Sequence, residues 1–478
     1  MKSARLPLPP SDPEQAATAM NKALVEQYQC PQSLLEFHTV QGLSSSELGY
    51  FLFGEDVVCY GQCSSGISRD VSSGNLPNAL SDVCLNGDGL RLPFDPTQVV
   101  ENLRMERYAM GSRLDSKQGW ESRVLRDAYY LFRPLLPVFI RKHLQRYHLR
   151  DWDQISFPHW PLDKTVERVF ERLLFLAMEY HKVDRIPFIW FWPEGRSSCA
   201  IITHDVETEA GKDFCASLMD LDEAFGIKAS FQIVPERRYP LDASYLENIR
   251  KRGFEVNIQD LFHDGRLFAS RQEFLLRVKR INEYGRRYGA KGFRSSQLYR
   301  NPDWLNHLEF SYDMSIPNTG RLEPQRGGCC TVMPYFIGDI LELPVTTTQD
   351  YALFNILGSS SIDLWKEQTR LVCEDHGLAT FIVHPDYVRS ESRQRIYKQL
   401  LAHLTSLRSE KMLWIALPNE VNEWWRARRQ MKLVCGANSW TIQGLGSERA
   451  RVAYAVRDHR GIRYEIEKST ATRSDPLA

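Results

Sequence analysis

Four apolar runs in this chain end in side chains able to move protons or hold a cation. CAIITHDVE closes on Thr203-His204-Asp205-Val206-Glu207, and FEVNIQ on Gln259-Asp260-Leu261-Phe262-His263-Asp264-Gly265. KGFRSS carries Phe293-Arg294-Ser295, and TFIVHP leads to Val383-His384-Pro385-Asp386. Asp205 and Glu207 are two residues apart, so on an extended chain their carboxyl groups lie on the same side. Such a pair can divide the work of proton acceptor and metal ligand. An Asp, a Glu, two His and an Arg, each at the end of a different or shared apolar run, suggest one pocket built from several strand ends.

The elements that must bring them together are legible from Ser197 onward, where strand and helix patterns alternate. The strand-like runs are CAIITHDVE, IKASFQIV, FEVNIQ, KGFRSS, YDMSI, ILELPVTT, TFIVHP and MLWIALP. Between or after them come KDFCASLMDLDEAFG, SYLENIRKRG, RQEFLLRVKRINEYGRRYG, NPDWLNHLEF, IDLWKEQTRLVCEDHG, RQRIYKQLLAHLTSLRSE and NEVNEWWRARRQ, which read as helices. Gly226, Gly253, Gly289 and Gly377 stand where helices end, the place for a left-handed residue. Alternation of this kind predicts parallel βαβ units, and seven or eight of them predict an α/β fold closed as a (β/α) barrel. In such a barrel the active site is built at the C-terminal ends of the strands, which is where the polar groups stand.

The order TxDxE, a histidine after the third strand, GFRxx, then an apolar strand ending in histidine resembles the polysaccharide deacetylases, carbohydrate esterase family 4 with its NodB-homology fold. The resemblance covers residues 196–426, and it includes strand order as well as the four motifs. It implies that Asp205 is the catalytic base and Glu207 the carboxylate that binds a divalent metal. It implies that His263 is the second histidine of an HxxxH metal motif, that Arg294 orients the base, and that His384 is the general acid. Residues 341–351 resemble the stretch that lines the acyl pocket. Two positions depart from the pattern: Gln259 replaces the first metal histidine, and Ser296 replaces the proline after the arginine motif. A catalytic zinc site wants three protein ligands and one open position. An amide oxygen is a harder, weaker donor than imidazole, so Glu207, His263 and Gln259 lean toward Mg, Ca or Mn over Zn.

The resemblance thus implies metal-dependent N-deacetylation of an N-acetylated polysaccharide or glycan intermediate, with acetate and an amino sugar as products. Gln259 motivates a second reading, a deacetylase-fold carbohydrate-binding or scaffold protein. A glycosidase fits poorly, because it needs carboxylates on both sides of the scissile bond and these two share one strand end. Taken singly, each residue has a plainer role. Asp205 could cap the next helix, Glu207 could be a solvated loop residue, His263-Asp264-Gly265 could be a turn, Arg294 could pair structurally, and His384 could be a core histidine. Their joint order is what favours chemistry. His38, His143, His159 and His307 have no such context and read as structural or surface residues.

Composition narrows the partners. Lys+Arg and Asp+Glu both total 60, so the formal net charge is zero, which gives no electrostatic case for nucleic acid or an anionic membrane. No run approaches the ~20 apolar residues of a membrane span, and the start MKSARLPLPPSDPEQ has no apolar signal core, so a cytoplasmic location is expected. The 10 cysteines form no CxxC pair and are expected to be mostly reduced and buried. Residues 1–95 read as a β-rich module with a loosely packed, proline-rich start, 96–195 as a helical connection, and 427–478 as a small C-terminal β appendage. The run RKHLQRYHLR (141–150) reads as a solvated helix face, with a phosphate-bearing substrate or lipid head group as the sharper alternative. The aromatic IPFIWFWPEG is expected to seal one end of the barrel. The extensions exceed what a minimal deacetylase barrel requires, which fits attachment to a glycan-biosynthesis assembly.

Overall fold

The computed structural model describes residues 22–39, 47–86, 89–109, 147, 149–436, 439–459 and 461–467. The proline-rich start before residue 22 and most of both the proline-interrupted helical run at 121–148 and the basic run at 141–150 lie outside the described residues. The chain divides into two compact units. One comprises Met1–Glu101, Val169–Phe188 and Ala453–Glu467, and the other Asn102–Arg168, Ile189–Val452 and Lys468–Ala478.

The smaller unit is built from short strands. Gly49–Leu52 pairs antiparallel with Val58–Gly61. Gly89–Leu92 lies between Phe37–Thr39 and Cys84–Asn86. The C-terminal hairpin of Val452–Asp458 and Gly461–Ile466 adds Arg185–Ile189 as its third strand. Aromatic edges fill the interior: Phe94 meets Phe51 and Phe53 at centroid distances of 5.1 and 5.0 Å. Contacts of this geometry are worth about 0.5–1.5 kcal/mol beyond area burial.

The larger unit carries the predicted alternation. Its elements are β1 (Ser198–Val206), α1 (Glu209–Ala224), β2 (Ser230–Ile233), α2 (Ala243–Lys251), β3 (Glu255–Gln259), α3 (Arg271–Tyr288), β4 (Gly292–Arg294) and β5 (Tyr312–Asp313), followed by β6 (Tyr335–Ile337), β7 (Ile340–Glu342), α4 (Asp363–Glu374), β8 (Leu378–Ile382), α5 (Glu391–Ser409), β9 (Leu413–Ile415) and α6 (Pro418–Gln430). The sheet runs β6-β7-β5-β4-β3-β2-β1-β8, and β9 pairs with the first residues of β1. Every pairing is parallel except β6 with β7. Strands buried on both faces read as continuous apolar runs, and all nine residues of β1 are buried. Side-chain caps start the first three helices: Thr208, Asp242 and Ser270 accept from Gly211, Tyr245 and Glu273 backbone N–H groups.

The sheet curls into a half-barrel, and among the described residues no ladder joins β7 to β8. The seam is filled differently. Leu378 N donates to Val332 O at 2.8 Å. Thr346 Oγ1 donates to Leu378 O at 2.6 Å and accepts from Thr380 N at 2.9 Å, and Thr347 Oγ1 donates to Thr380 O at 2.7 Å.

Two local expectations are corrected. NPDWLNHLEF is a short 3-10 turn, Pro302–His307; Asn301 caps it through Asp303 N and the chain is extended again by Leu308, so no longer helix forms. Gly226, Gly253 and Gly289 do take positive φ, but at the fourth helix end the left-handed residue is His376, at φ 57. Gly377 serves a close approach instead, since a Cβ there would lie 2.6 Å from Val332 Cγ2. The aromatic stretch packs as expected at the N-terminal end of β1. Trp192 lies 6.4 Å from Trp414, the partner of Cys199, and 5.8 Å from Trp425. All 10 cysteines are free, and Cys199, Cys215, Cys329 and Cys330 are buried in this unit.

Candidate active site

Alternation along β1 sorts its last residues. Thr203 and Asp205 face the inside of the curl, while His204 faces the helices, with Nε2 3.0 Å from Asp222 Oδ2 and Nδ1 2.9 Å from Val383 O. Tyr397 of α5 donates to the other oxygen of Asp222 at 2.5 Å. His204 therefore ties β1 to the helix layer and is not part of the pocket.

Inside, Asp205 is 3% exposed. Its Oδ1 accepts from Arg294 Nη1 at 2.8 Å and its Oδ2 from Gln259 Nε2 at 3.0 Å. Arg294 is fully buried and also donates to Thr203 Oγ1 at 2.7 Å and Met314 O at 3.0 Å. The residues ending β1, β3 and β4 are thus locked to one another. Behind them lie two more carboxyl groups, Asp313 and Glu342, which face each other in register across β5 and β7. Ser315 Oγ donates to Asp313 at 2.7 Å, and Ile316 N to Glu342 at 3.0 Å. Burial, and then the facing Asp313, holds Glu342 well above the usual carboxyl range. Two carboxyl groups set opposite each other disfavour ionisation of both.

Glu207 is the second meeting point. Its Oε1 lies 2.7 Å from His263 Nε2 and 3.4 Å from His384 Nε2. Burial pushes the Glu207 carboxyl up, but the two facing imidazoles outweigh it and hold the group well below its ordinary value. His384 is gripped by Asp350, which accepts from its backbone N at 2.8 Å and meets Nδ1 at 2.6 Å. Burial pulls His384 down; Asp350 first and Glu207 next overcome that and raise it well above the ordinary imidazole value. With Nδ1–H directed to Asp350, Nε2 is the nitrogen that faces Glu207, and it carries a proton there when the ring is imidazolium. Tyr387 lies 5.1 Å from the His384 ring and 5.4 Å from Tyr351.

The backbone around these groups is unusual. Asp260, His263, Gln297 and Leu298 all have φ between 50 and 53°. Left-handed backbone at non-glycine residues costs on the order of 1–3 kcal/mol each and collects at functional sites. Side chains hold it in place. Ser296 Oγ donates to Asp260 Oδ2 at 2.5 Å, Leu261 N to Asp260 Oδ1 at 2.6 Å, and Arg277 forks the two oxygens of Asp264 at 2.7 and 2.9 Å.

Among the buried atoms here that have no hydrogen-bond partner are Gln259 Oε1, His263 Nε2, Gln297 Oε1 and Arg294 Nη2. His263 Nε2 is close to Glu207 but off the direction that a hydrogen bond requires. Among the described residues, no three His, Cys, Asp or Glu side chains have the arrangement to hold a metal ion, so an ion here would need an amide oxygen as well.

No family model matches the chain, and no curated relative does. Solved structures do. A putative polysaccharide deacetylase from Mycobacterium smegmatis is 16% identical over 52% of this chain and 98% of its own, at a TM-score of 0.41. A putative polysaccharide deacetylase involved in O-antigen biosynthesis from Bordetella bronchiseptica is 21% identical over 48% of this chain and 84% of its own, at 0.30. A probable polysaccharide deacetylase from Pseudomonas aeruginosa PAO1 is 13% identical over 49% and 93%, at 0.39. Several structural neighbours of this chain are polysaccharide deacetylases. With identities and TM-scores this low, its chemistry has to be read from its own groups.

The six positions singled out by the deacetylase motifs fall into two contacting sets: Asp205 with Arg294 and Gln259, and Glu207 with His263 and His384. Sequence reasoning passed over Asp350, Gln297, and the pair Asp313 and Glu342. Asp350 follows the apolar run LELPV, but Thr346, Thr347, Thr348 and Gln349 stand between and mask the strand-end signal that marked Asp205. Gln297, whose Nε2 is 3.3 Å from His263 Nδ1, had no such signal.

Proposed function

We propose that the larger unit is a hydrolase of carbon–nitrogen bonds other than peptide bonds, removing the acetyl group from an N-acetylated polysaccharide or glycan intermediate. The supporting observation is one carboxylate oxygen, Glu207 Oε1, facing His263 and His384, two residues beyond an Asp205 fixed through both oxygens.

A divalent ion belongs to this reading, and the donors fit one. Gln259 Oε1 and His263 Nε2 are buried and unpartnered, and Glu207 holds its negative charge. Glu207, His263 and Gln259 would bind the ion; two oxygens and one nitrogen suit a hard ion such as Mg or Mn better than Zn. When bound, it would polarise the amide carbonyl and lower the pKa of water. His263 must then offer a lone pair at Nε2 and carry its proton on Nδ1. Turning the Gln297 amide over satisfies that need, because its Oε1 is itself buried and unpartnered and would accept from Nδ1–H.

The chain's own groups supply the proton transfers. Asp205 accepts a proton from the attacking water, and Arg294 fixes its orientation. The C–O bond forms first, as water adds to the carbonyl carbon; the C–N bond then breaks as the carbonyl re-forms. His384 delivers the Nε2 proton to the departing nitrogen, leaving acetate and a free amine. Gln259 also favours a second reading, a carbohydrate-binding protein without turnover, because its N–H occupies an oxygen of the base and its carbonyl is a weak ligand.

Acetate release from an N-acetylated oligosaccharide, with and without chelator, tests the first reading. General-base loss is worth about 10²–10⁴-fold, so Asp205→Asn should fall by that order. Equal release from wild type and variant removes the hydrolytic account, and purified protein free of metal and releasing no acetate leaves the binding reading.

A further inference from the structure

Arg237 and Arg238 stand just beyond β2, at the same end of the sheet as the proposed catalytic groups. Both are exposed, and among the described residues neither has an ion-pair partner. Their placement is specific. Arg238 Nε donates to the backbone oxygen of Glu207 at 2.7 Å. The Arg237 backbone is left-handed, at φ 66, and its guanidinium carbon lies 3.7 Å from the ring centroid of Phe262, the residue before His263. One arginine is thus tied to the end of β1 and the other is laid over the end of β3.

Nearby carboxylates do not neutralise them. Glu236 is taken by Arg280, Asp264 by Arg277 at 2.7 Å, and Glu273 by Arg277 at 2.6 Å. Among the described residues both guanidinium groups are thus left without an ion pair at the rim. A guanidinium stacked by its face on an aromatic ring keeps its in-plane N–H groups for other partners, and those groups match the two oxygens of a phosphate or carboxylate. Ordering two arginines, one of them in a left-handed conformation, is costly for a merely solvated rim.

We propose that Arg237 and Arg238 form an oxyanion subsite, and that the sugar handled at this site carries a phosphate or carboxylate near its acetamido group. The proposal rests on the deacetylase reading for the acetamido group alone; the anion preference stands on the arginines.

The test uses the full-length protein and calorimetric titration with three sugars: neutral N-acetylglucosamine, N-acetylglucosamine 1-phosphate and N-acetylmuramic acid. The expected result is that at least one anionic sugar binds about tenfold or more tightly than the neutral one, with the phosphate and carboxylate arms identifying the source of the anion. In Arg237→Gln/Arg238→Gln the ratio should fall to about one. Arg237→Lys/Arg238→Lys, which keeps charge and chain length, should retain part of it and guards against misfolding of the first variant. Added salt should shrink the preference, as exposed charges are screened. A ratio near one in the wild type, or one unchanged in the glutamine pair, overturns the subsite. Acetate assays on the same sugars separate the two ideas: anion preference without acetate release keeps the subsite and removes the deacetylase, while release without preference does the reverse.

Discussion

Replacing Asp350 by Asn probes the buried group that most directly controls His384. Asp350 is fully buried and gives one oxygen to His384 N at 2.8 Å and the other to Nδ1 at 2.6 Å. Asn keeps the shape but has one acceptor, so its NH2 must face one of those two donors. A hydrogen bond to a charged group contributes about 1.5–3 kcal/mol, and severing a buried pair costs about 3–5 kcal/mol. A loss of about 3 kcal/mol is expected where His384 is protonated. The sign follows from the raised His384 value. The stabilisation is fully present below the ordinary imidazole pKa of about 6.5 and is lost as pH rises through the higher folded value. Denaturant unfolding of wild type and Asp350→Asn in chelator, scanned from acid to alkaline pH, should therefore show a gap that is widest in acid and narrows in base. A gap that is flat with pH, or that widens in base, would refute the assignment of a protonated His384 held by Asp350. If His384 is also the proton donor, the alkaline limb of the acetate-release profile should move to lower pH in the same variant.

Glu167 offers an independent check. Burial raises its carboxyl to about 7, against lowering by Thr331; by the same sign rule the folded protein should lose about 3 kcal/mol as pH climbs from 4.5 to above 7. Glu167→Gln keeps the acceptor used by Val332 N and replaces an oxygen that has no partner, so it should flatten that part of the pH–stability curve; a slope equal to wild type counts against it. Arg294→Lys leaves Thr203, Met314 and Asp205 without a common donor and should cost about 3–5 kcal/mol, read as a fall in the unfolding midpoint; a change under about 1 kcal/mol would show that the buried fork is not needed. Gln259→His should tighten divalent-ion binding by about tenfold or more, since imidazole replaces a weaker amide donor, and equal affinity by titration would argue that Gln259 does not face the ion.

Much of the larger unit was legible because its strands are buried on both faces, which writes them as short apolar runs, and because each run stops at a polar residue. That rule found Asp205, Glu207, His263, Arg294 and His384. It did not find Asp350, because the threonines between LELPV and Asp350 hide the end of the run and the residue's role depends on a strand far along the chain. Gln259 was recognised as a departure, but not as a donor to Asp205; which way an amide turns is decided by its neighbours. The Asp313 and Glu342 pair was invisible for a similar reason. Each residue alone ends a plain strand, and only the register of β5 with β7 sets them face to face. The predicted closed barrel is a half-barrel because the segment after β7 meets β8 through threonine hydroxyls, and a hydroxyl in TTT does not announce whether it faces water or a strand edge.

Those hydroxyls have a consequence for how the protein behaves in a crowded solution. The outer border of a sheet is ordinarily a template on which a stranger's extended segment can assemble, and proteins guard it in various ways. Here the amide and carbonyl groups that Leu378 and Thr380 turn outward are each already engaged, by Val332, Thr346 and Thr347. An incomplete cylinder can thus keep this stretch of its border closed, because at Leu378 and Thr380 no outward amide or carbonyl is left for a neighbouring molecule to zip onto.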